Sequence, residues 1–426
     1  MIDKPLRDEI TALIKREVVP AIGCTEPMAV ALCVARACET LGEIPEEIAV
    51  TLSGNMLKNA MGVGIPGTGM TGLPVAIALG AIKGKSDYGL EVLRDVTQED
   101  VEKACEYMTR GVIHIGVDSS APSKLYVKAV VRKDADSACA VIAGSHTNFI
   151  LVSHGVETLM EKEFTGDGCD SASAPRLDLA TVWEYAVESP IDELRFILES
   201  RRLNLAAAES ALARGYGHAL GYTIRTTGTR FFGDTPVEHM LAYTSAACDA
   251  RMAGVMIPVM SNSGSGNQGI TATMPVVSFA MDCAASEEQT IRALALSHLT
   301  SIYIKQSLGR LSALCGCVVA STGASAGLVY LMGGGYREVV AAVKNMVANL
   351  TGMICDGAKP SCAMKITSGV STALMSAMLA MNGRCVTSTE GIVADDVDET
   401  IHNLTSIGRD AMTETDRLVL HIMTSK

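Results

Sequence analysis

Three cysteine groups in this sequence have neighbours that give a thiol chemistry to do. Cys24 lies in Ala-Ile-Gly-Cys-Thr-Glu-Pro, just before an apolar run from Met28 to Cys38. That pattern predicts a helix with Thr25 as its cap and Pro27 in its first turn. A helix N-terminus stabilises a thiolate and lowers the cysteine pKa, while Glu26 next door works the other way. A small apolar residue in a turn is the competing account. The segment Cys355-Asp-Gly-Ala-Lys-Pro-Ser-Cys362 brackets a turn that Gly357 and Pro360 keep non-helical. Both sulfurs can therefore face one centre, as metal or cluster ligation requires. The spacing is neither a zinc-finger pair nor a ferredoxin run, and buried free thiols also fit it. Cys315-Gly-Cys317, read as the end of an apolar helix, offers a third ligand without a local reason to choose between its two cysteines.

Two glycine-rich stretches add polar donors. One runs from Ser53 to Gly72 with six glycines from Gly54 onward, and the other is Ser261 to Gly269. Consecutive backbone N–H groups in such loops form nests for a carboxylate or phosphate. Ser53, Asn55, Lys58, Asn59, Asn262 and Asn267 supply side-chain donors; structural turn glycines are the alternative. His146, in Ser-His-Thr-Asn at a strand start, is a further polar candidate, although a lone histidine more often serves structure. Neither stretch is a P-loop or a dinucleotide fingerprint, and His-Glu-x-x-His does not occur.

Composition narrows the function classes. Hydrophobic residues make up 48% of the 426 residues and charged residues 19%, so the chain must bury a large core rather than remain disordered. The net charge of −12, without a polybasic run, disfavours nucleic acid and anionic membrane as partners. Four long uncharged stretches (59–82, 252–281, 311–336 and 366–383) reach bilayer-spanning length. Three are broken by Gly, Pro, Ser or Asn, and none has positive flanks, so buried helices and loops are expected instead of a membrane protein. The charged opening MIDKPLRDEI has no apolar signal region. With thirteen scattered cysteines, the expectation is a cytoplasmic chain of free thiols, some binding metal.

These residues need elements to position them. Asp3 caps a predicted first helix that Pro20 ends, and Ile48–Leu52 reads as a strand. Short strands follow over 113–117, 125–132, 138–143 and 148–152, with Lys-Asp-Ala-Asp at 133–136 as a hairpin turn. Around 161–175 the chain turns polar and glycine-rich. Helices are expected over 177–188, 191–202, 204–221, 236–254, 274–282, 286–308, 336–350, 362–381 and 396–406, with loops at 261–269 and 315–327. The fold class is therefore α+β. A small mixed α/β module with an antiparallel sheet (1–165) carries Cys24 and a glycine-rich loop. A mainly all-α domain (166–426) carries Cys315, Cys355 and Cys362. Cys33, Cys38, Cys105, Cys248 and Cys283 fall in helical patterns, Cys139 in a strand, and Cys169 and Cys385 in polar loops.

Taken together, AIGCTEP (21–27), SGNMLKNAMGVGIPGT (53–68), SHTN (145–148), SGSGNQG (263–269) and CDGAKPSC (355–362) resemble the signature segments of L-cysteine desulfidase. That enzyme belongs to the iron–sulfur serine dehydratase alpha-chain group. The resemblance spans residues 21 to 362 in one order. It implies a [4Fe-4S] cluster held by Cys315, Cys355 and Cys362 with one iron open to substrate, and Cys24 as proton acceptor. The pair Cys355 and Cys362 lacks the longer spacing of the serine dehydratases, which favours cysteine over serine.

The implied reaction is α,β-elimination of sulfide from L-cysteine, leaving pyruvate and ammonia. A base takes the Cα proton, and an open iron is a Lewis acid and soft sulfur acceptor. Ser53, Asn55, Lys58, Asn59, His146 and Asn267 would bind the substrate. The alternatives are an iron–sulfur L-serine dehydratase, a pyridoxal phosphate enzyme using Lys58 or Lys365, and an inactive small-molecule-binding relative. A homodimer is expected from the high apolar content.

Overall fold

Period-two patterning between Glu47 and Glu161 builds one six-stranded sheet: β1 (Glu47–Leu52), β2 (Ile113–Val117), β3 (Tyr126–Lys133), β4 (Asp136–Ala143), β5 (Phe149–His154) and β6 (Glu157–Glu161). The computed structural model describes residues 2–164, 166, 174–309 and 311–425. Strand order is β2-β1-β3-β4-β5-β6. Ile48, Val50 and Leu52 in β1, and Val127, Ala129 and Val131 in β3, alternate into the core. All neighbours run antiparallel except β1 and β2, which are parallel. The expected antiparallel sheet thus has one parallel edge. Its helical connection over 54–109 is long enough to return in the same direction, whereas hairpins cannot. The 133–136 turn closes β3 onto β4, with Asp134 in the left-handed region at φ 50°. Strand β6 was not expected, because its mostly exposed residues give no alternating apolar signal.

The Thr25–Leu41 helix is buried along most of its length and packs on this sheet, its Cys33 Sγ donating to Ala140 O at 3.2 Å. With the Leu73–Ile82 helix and the sheet it forms the first of two apolar cores. The second core is helical, centred on Pro236–Met252, Gly266–Asp282, Glu287–Leu308, Gly316–Leu331, Tyr336–Leu350 and Cys362–Met381. The chain is therefore mixed α/β, with the sheet in its N-terminal half and a mainly helical C-terminal region. Both ends cross over. Ile10, Leu13 and Ile14 of the Lys4–Glu17 helix join the helical core, and Leu420 of the Thr413–Thr424 helix packs against the sheet core. The stretch 161–175, expected to separate the two units, lies partly outside the described residues, as does Cys169.

Two expected loops are helix starts and a third is the body of a helix. Ser53 caps a Gly54–Ala60 helix, accepting from Met56 N–H, and Ser265 caps Gly266–Asp282, accepting from Gln268 N–H. Ser, Gly and Asn are loop formers and helix-start residues alike, so composition did not separate the two. The 315–327 stretch is the body of the Gly316–Leu331 helix, with Cys315 at its start rather than its end. Its small residues serve close packing: a Cβ on Gly323 would lie 2.2 Å from Ser297 O. Among the described residues one helix, Cys362–Met381, is long and apolar enough to cross a bilayer, and half of its apolar window is buried against the rest of the protein.

Candidate active site

Two short backbone ladders bring the chemistry together. In the first, Pro20–Ala21 pairs antiparallel with Val259–Met260, and Ser261 N–H donates to Val19 O at 2.8 Å. This joins the approach to Cys24 to the approach to Asn267. In the second, Leu314 bridges Ile354, with Cys315 N–H on Met353 O (3.0 Å) and Cys355 N–H on Ala313 O (2.7 Å). That ladder lays Cys315 and Cys355 side by side, and their thiols hydrogen-bond. The following turn needs glycine at 357. Its φ is +90°, and a Cβ there would meet Lys58 O at 2.1 Å. The turn thus sits directly on the Gly54–Ala60 helix and returns Cys362 to the same face.

The result is a cavity of about 110 Å³ at the seam between the two cores. Its lining includes Cys24, Glu26, Asn59, Arg251, Asn267, Gln268, Lys305, Cys315, Cys317, Cys355, Cys362 and Lys365. Six of the ten site residues expected from sequence converge here: Cys24, Asn59, Asn267, Cys315, Cys355 and Cys362. The other four do not line it, for visible reasons. Ser53 spends its hydroxyl on the helix cap and on Lys124 O at 2.6 Å. Asn55 and Lys58 both turn to the Asp416 carboxylate on the last helix, Asn55 Nδ2 at 2.7 Å. His146 stands behind Glu26 and beside Gly264.

Cys24 occupies the cap position of the Thr25–Leu41 helix, so Thr25 is its first residue and not the cap. Its thiol is 1% exposed and donates to Glu26 Oε2 at 2.9 Å. Burial, then the Glu26 charge and its hydrogen bond, push the Cys24 thiol well above its ordinary pKa, with Arg251 opposing. The thiolate expected at this helix end is thus replaced by a neutral thiol: burial and the adjacent carboxylate outweigh the helix. For Glu26, burial acts upward, but His146, the Cys24 thiol, its own backbone N–H and Arg251 together hold the carboxyl below its usual range. Thr25 Oγ1 donates to Glu26 Oε2 at 3.1 Å and Asn59 Nδ2 to Oε1 at 3.2 Å.

On the opposite wall, the hydrogen bond from Cys315 draws the Cys355 thiol down against burial, helped by Lys58, the Gly357 N–H and Lys365, and Cys315 is pushed up in return. Cys317 differs from Cys315. It donates to Lys365 O at 3.1 Å, and a Cβ on Gly369 would lie 2.5 Å from its sulfur, so it is wedged between two helices. Arg251 (4% exposed) donates to Asn267 Oδ1 at 3.0 Å; its Nε and the Gln268 Oε1 are buried without a hydrogen-bond partner.

Two thiolates on one ion at ~2.3 Å bonds stand at most about 4.6 Å apart. Among the described residues, the only trio of ligand-type groups within 4.8 Å of one another is Asp234, Glu238 and His239, away from this cavity. There Arg225 bonds both carboxylates at 2.8 Å, which makes an ion-pair network. Cys315, Cys355 and Cys362 are therefore not gathered as three ligands of a lone ion would be, and their all-sulfur donor set suits a larger inorganic core.

Arg251, Gln268 and Lys305 were not singled out from sequence, Glu26 was weighed only as a neighbour that opposes a thiolate, and Lys365 only as a Schiff-base lysine. Glu26 and Lys365 flank the cysteine segments, and Arg251 is the last charge before the uncharged 252–281 stretch. Those were the available signals.

The sheet core and the helical core thus meet at a cavity lined by thiols and a buried carboxylate. The chain belongs to the serine dehydratase alpha-chain family, whose model matches residues 87–421. It is accordingly a lyase-type enzyme of a family that is typically iron–sulfur dependent. It is 60% identical over its whole length to a UPF0597 protein of Phocaeicola vulgatus, covering 99% of that protein. It is 60% identical to UPF0597 protein BF3560 of Bacteroides fragilis, over 99% of this chain and 98% of that one. A UPF0597 protein of Shewanella halifaxensis is 45% identical over 97% of each chain. The family match contains the three wall cysteines but begins after Cys24, Glu26 and Asn59, which the full-length relatives span.

Proposed function

We propose that this lyase eliminates sulfide from L-cysteine, releasing pyruvate and ammonia after the aminoacrylate hydrolyses. The observation that carries the reading is one cavity lined by the thiols of Cys315, Cys317, Cys355 and Cys362 together with the Cys24–Glu26 pair. Cys315, Cys355 and Cys362 would hold a [4Fe-4S] cluster; the engagement of Cys317 with Lys365 O and Gly369 supports Cys315 as the third ligand. When bound, such a cluster supplies a Lewis-acidic iron that takes soft leaving groups.

The chain's own residues do the rest. Arg251 and Asn267 are suited to the substrate carboxylate, and the Gln268 carbonyl to its ammonium group. Burial at the seam keeps water from competing for these few dipoles. Asn59 orients the Glu26 carboxylate. We further propose that the protein works in the cytoplasm on a free amino acid.

The second reading, L-serine dehydration, is favoured by the family's description. Anaerobic reconstitution with iron and sulfide, followed by assays of both substrates, separates the two. Equimolar sulfide and pyruvate from L-cysteine, a broad visible band, and loss of both in Cys355→Ala are expected. Pyruvate from L-serine with none from L-cysteine would overturn the desulfidase reading.

A further inference from the structure

We propose that Glu26 holds the thiol proton of Cys24, so that the pair together, and not a preformed thiolate, receives the substrate's Cα proton. This deepens the elimination reading and rests on it. The geometry carries it. Glu26 Oε2 lies 2.9 Å from Cys24 Sγ, and both residues line the cavity. The carboxylate is fixed from three sides, by Cys24, Thr25 Oγ1 and Asn59 Nδ2. It lies in the first turn of the Thr25–Leu41 helix, where backbone N–H groups favour negative charge.

Its charged surroundings come from several elements. His146, between β4 and β5, and Arg251, on the Pro236–Met252 helix, both stabilise its ionised form. Lys305 and Lys365 line the same cavity from two further helices. Only 9% exposed, Glu26 is a carboxylate that its neighbours keep ionised beside a thiol that they keep neutral. A neutral thiol is a poor base, and a carboxylate in contact with it is the natural acceptor.

The step balances as follows. The Cα proton moves to Cys24 Sγ as the Sγ proton moves to Glu26 Oε2. The C–H electron pair becomes the Cα=Cβ bond. The Cβ–S bond breaks, and its pair leaves with sulfur as hydrosulfide. The Glu26 proton then passes to the hydrosulfide, which completes hydrogen sulfide and restores both residues. Glu26 is thus a positioning and proton-holding residue that acts through Cys24.

Two measurements on Glu26→Gln test this together. The first is steady-state turnover of the reconstituted enzyme, where kcat should fall at least ~10²-fold with KM within threefold. The second is mass-spectrometric alkylation of Cys24 by iodoacetamide in the metal-free protein. Removing the negative charge should make the thiolate easier to form, so labelling at pH 8 should accelerate. More thiolate with less turnover is the signature of the pair. Turnover within threefold of wild type overturns the proposal, since a preformed thiolate would then suffice. Lost turnover with Cys24 labelling unchanged also overturns it, because Glu26 would then be merely structural. Glu26→Asp, which keeps the charge on a shorter arm, should recover part of kcat and none of the labelling gain. If it recovers nothing while folded and iron-loaded, the proposal falls. A wild-type enzyme that turns over neither L-cysteine nor L-serine would sink the elimination reading instead, and the labelling comparison still reports on the pair.

Discussion

Asp416 is the sharpest place to test the packing that surrounds the site. Its carboxylate ion-pairs with Lys58, whose side chain is 2% exposed, and accepts from Asn55 Nδ2 at 2.7 Å. The helix bearing it, Thr413–Thr424, has no buried residue, and its other visible tie is Leu420 over Gly54. Breaking a buried pair from one side strands the other charge and costs roughly 3–5 kcal/mol. Asp416 keeps 17% side-chain exposure, so about 3 kcal/mol is the fitting estimate for Asp416→Ala. The loss should appear locally, because a helix without buried side chains can open without unfolding either core. At about 1.4 kcal/mol per tenfold, amide exchange over 413–424 should accelerate about 10²-fold or more, while the Glu287–Leu308 helix is unchanged. Hydrogen–deuterium exchange with peptide resolution measures this. Exchange within threefold of wild type would refute the reasoning. Because Asn55 and Lys58 do not line the cavity, KM should also stay within threefold. A large change in KM would return those two residues to substrate binding.

Four further outcomes follow from single contacts. Gly357→Ala places a Cβ 2.1 Å from Lys58 O at φ +90°, so iron bound per chain after reconstitution should fall by more than half, and stability by about 2 kcal/mol or more. Cys315→Ser should lose iron and Cys317→Ser should keep it, because the Cys317 thiol is already engaged between helices; equal loss in both would reject that assignment. Asn204→Ala removes four buried hydrogen bonds, to Met260 N–H and O, Gly269 O and Thr273 Oγ1, and should cost about 2–4 kcal/mol by urea denaturation. Burial raises the Asp249 carboxyl to about 6, so the folded state binds more protons than the unfolded state between about pH 4 and 6, and stability falls as pH rises through that window. Asp249→Asn should therefore stabilise the protein by up to about 3 kcal/mol at pH 8 and by little at pH 4; an equal gain at both would contradict the linkage.

The sheet was readable because one face of each central strand is buried and the other is not, which writes a period of two into residues such as Ile48, Val50 and Leu52. The Gly316–Leu331 helix was not readable for the opposite reason. It is buried nearly all round, so its small residues show no apolar stripe, and Gly323 and Gly327 look like loop formers when they are contact points for neighbouring helices. The wall cysteines could be found because a turn groups two of them locally. Glu26 lay inside a recognised segment but was weighed only as a neighbour that opposes a thiolate. Arg251 and Gln268 had only faint local signals, an isolated charge before an uncharged stretch and a place in SGSGNQG, since what they face is Cys24, more than two hundred residues away in the chain. The same distance hid the Lys58–Asp416 pair, and with it the reason that Lys58 does not line the cavity.

What positions the site is backbone rather than side chain. The two apolar cores are each complete, so neither dictates how they meet. Their register is set where main chain touches main chain. Gly64 N–H donates to Met252 O at 3.0 Å, Gly67 N–H to Gly254 O at 3.1 Å, and Gly357 rests on Lys58 O. A Cβ at Gly64 would come within 2.4 Å of Ala253 C, so no larger residue permits that approach. These contacts flank Arg251 on one side and Asn59 on the other. The glycine-rich stretch read as an anion nest thus holds one core against the other through Gly64 and Gly67. It sets the separation between the wall that holds the thiols and the wall that holds Cys24 and Glu26. In the elimination proposed above, the distance between the groups that handle the proton and the leaving group would thus be set by glycine-mediated backbone contacts rather than by side-chain rotation at the cavity surface.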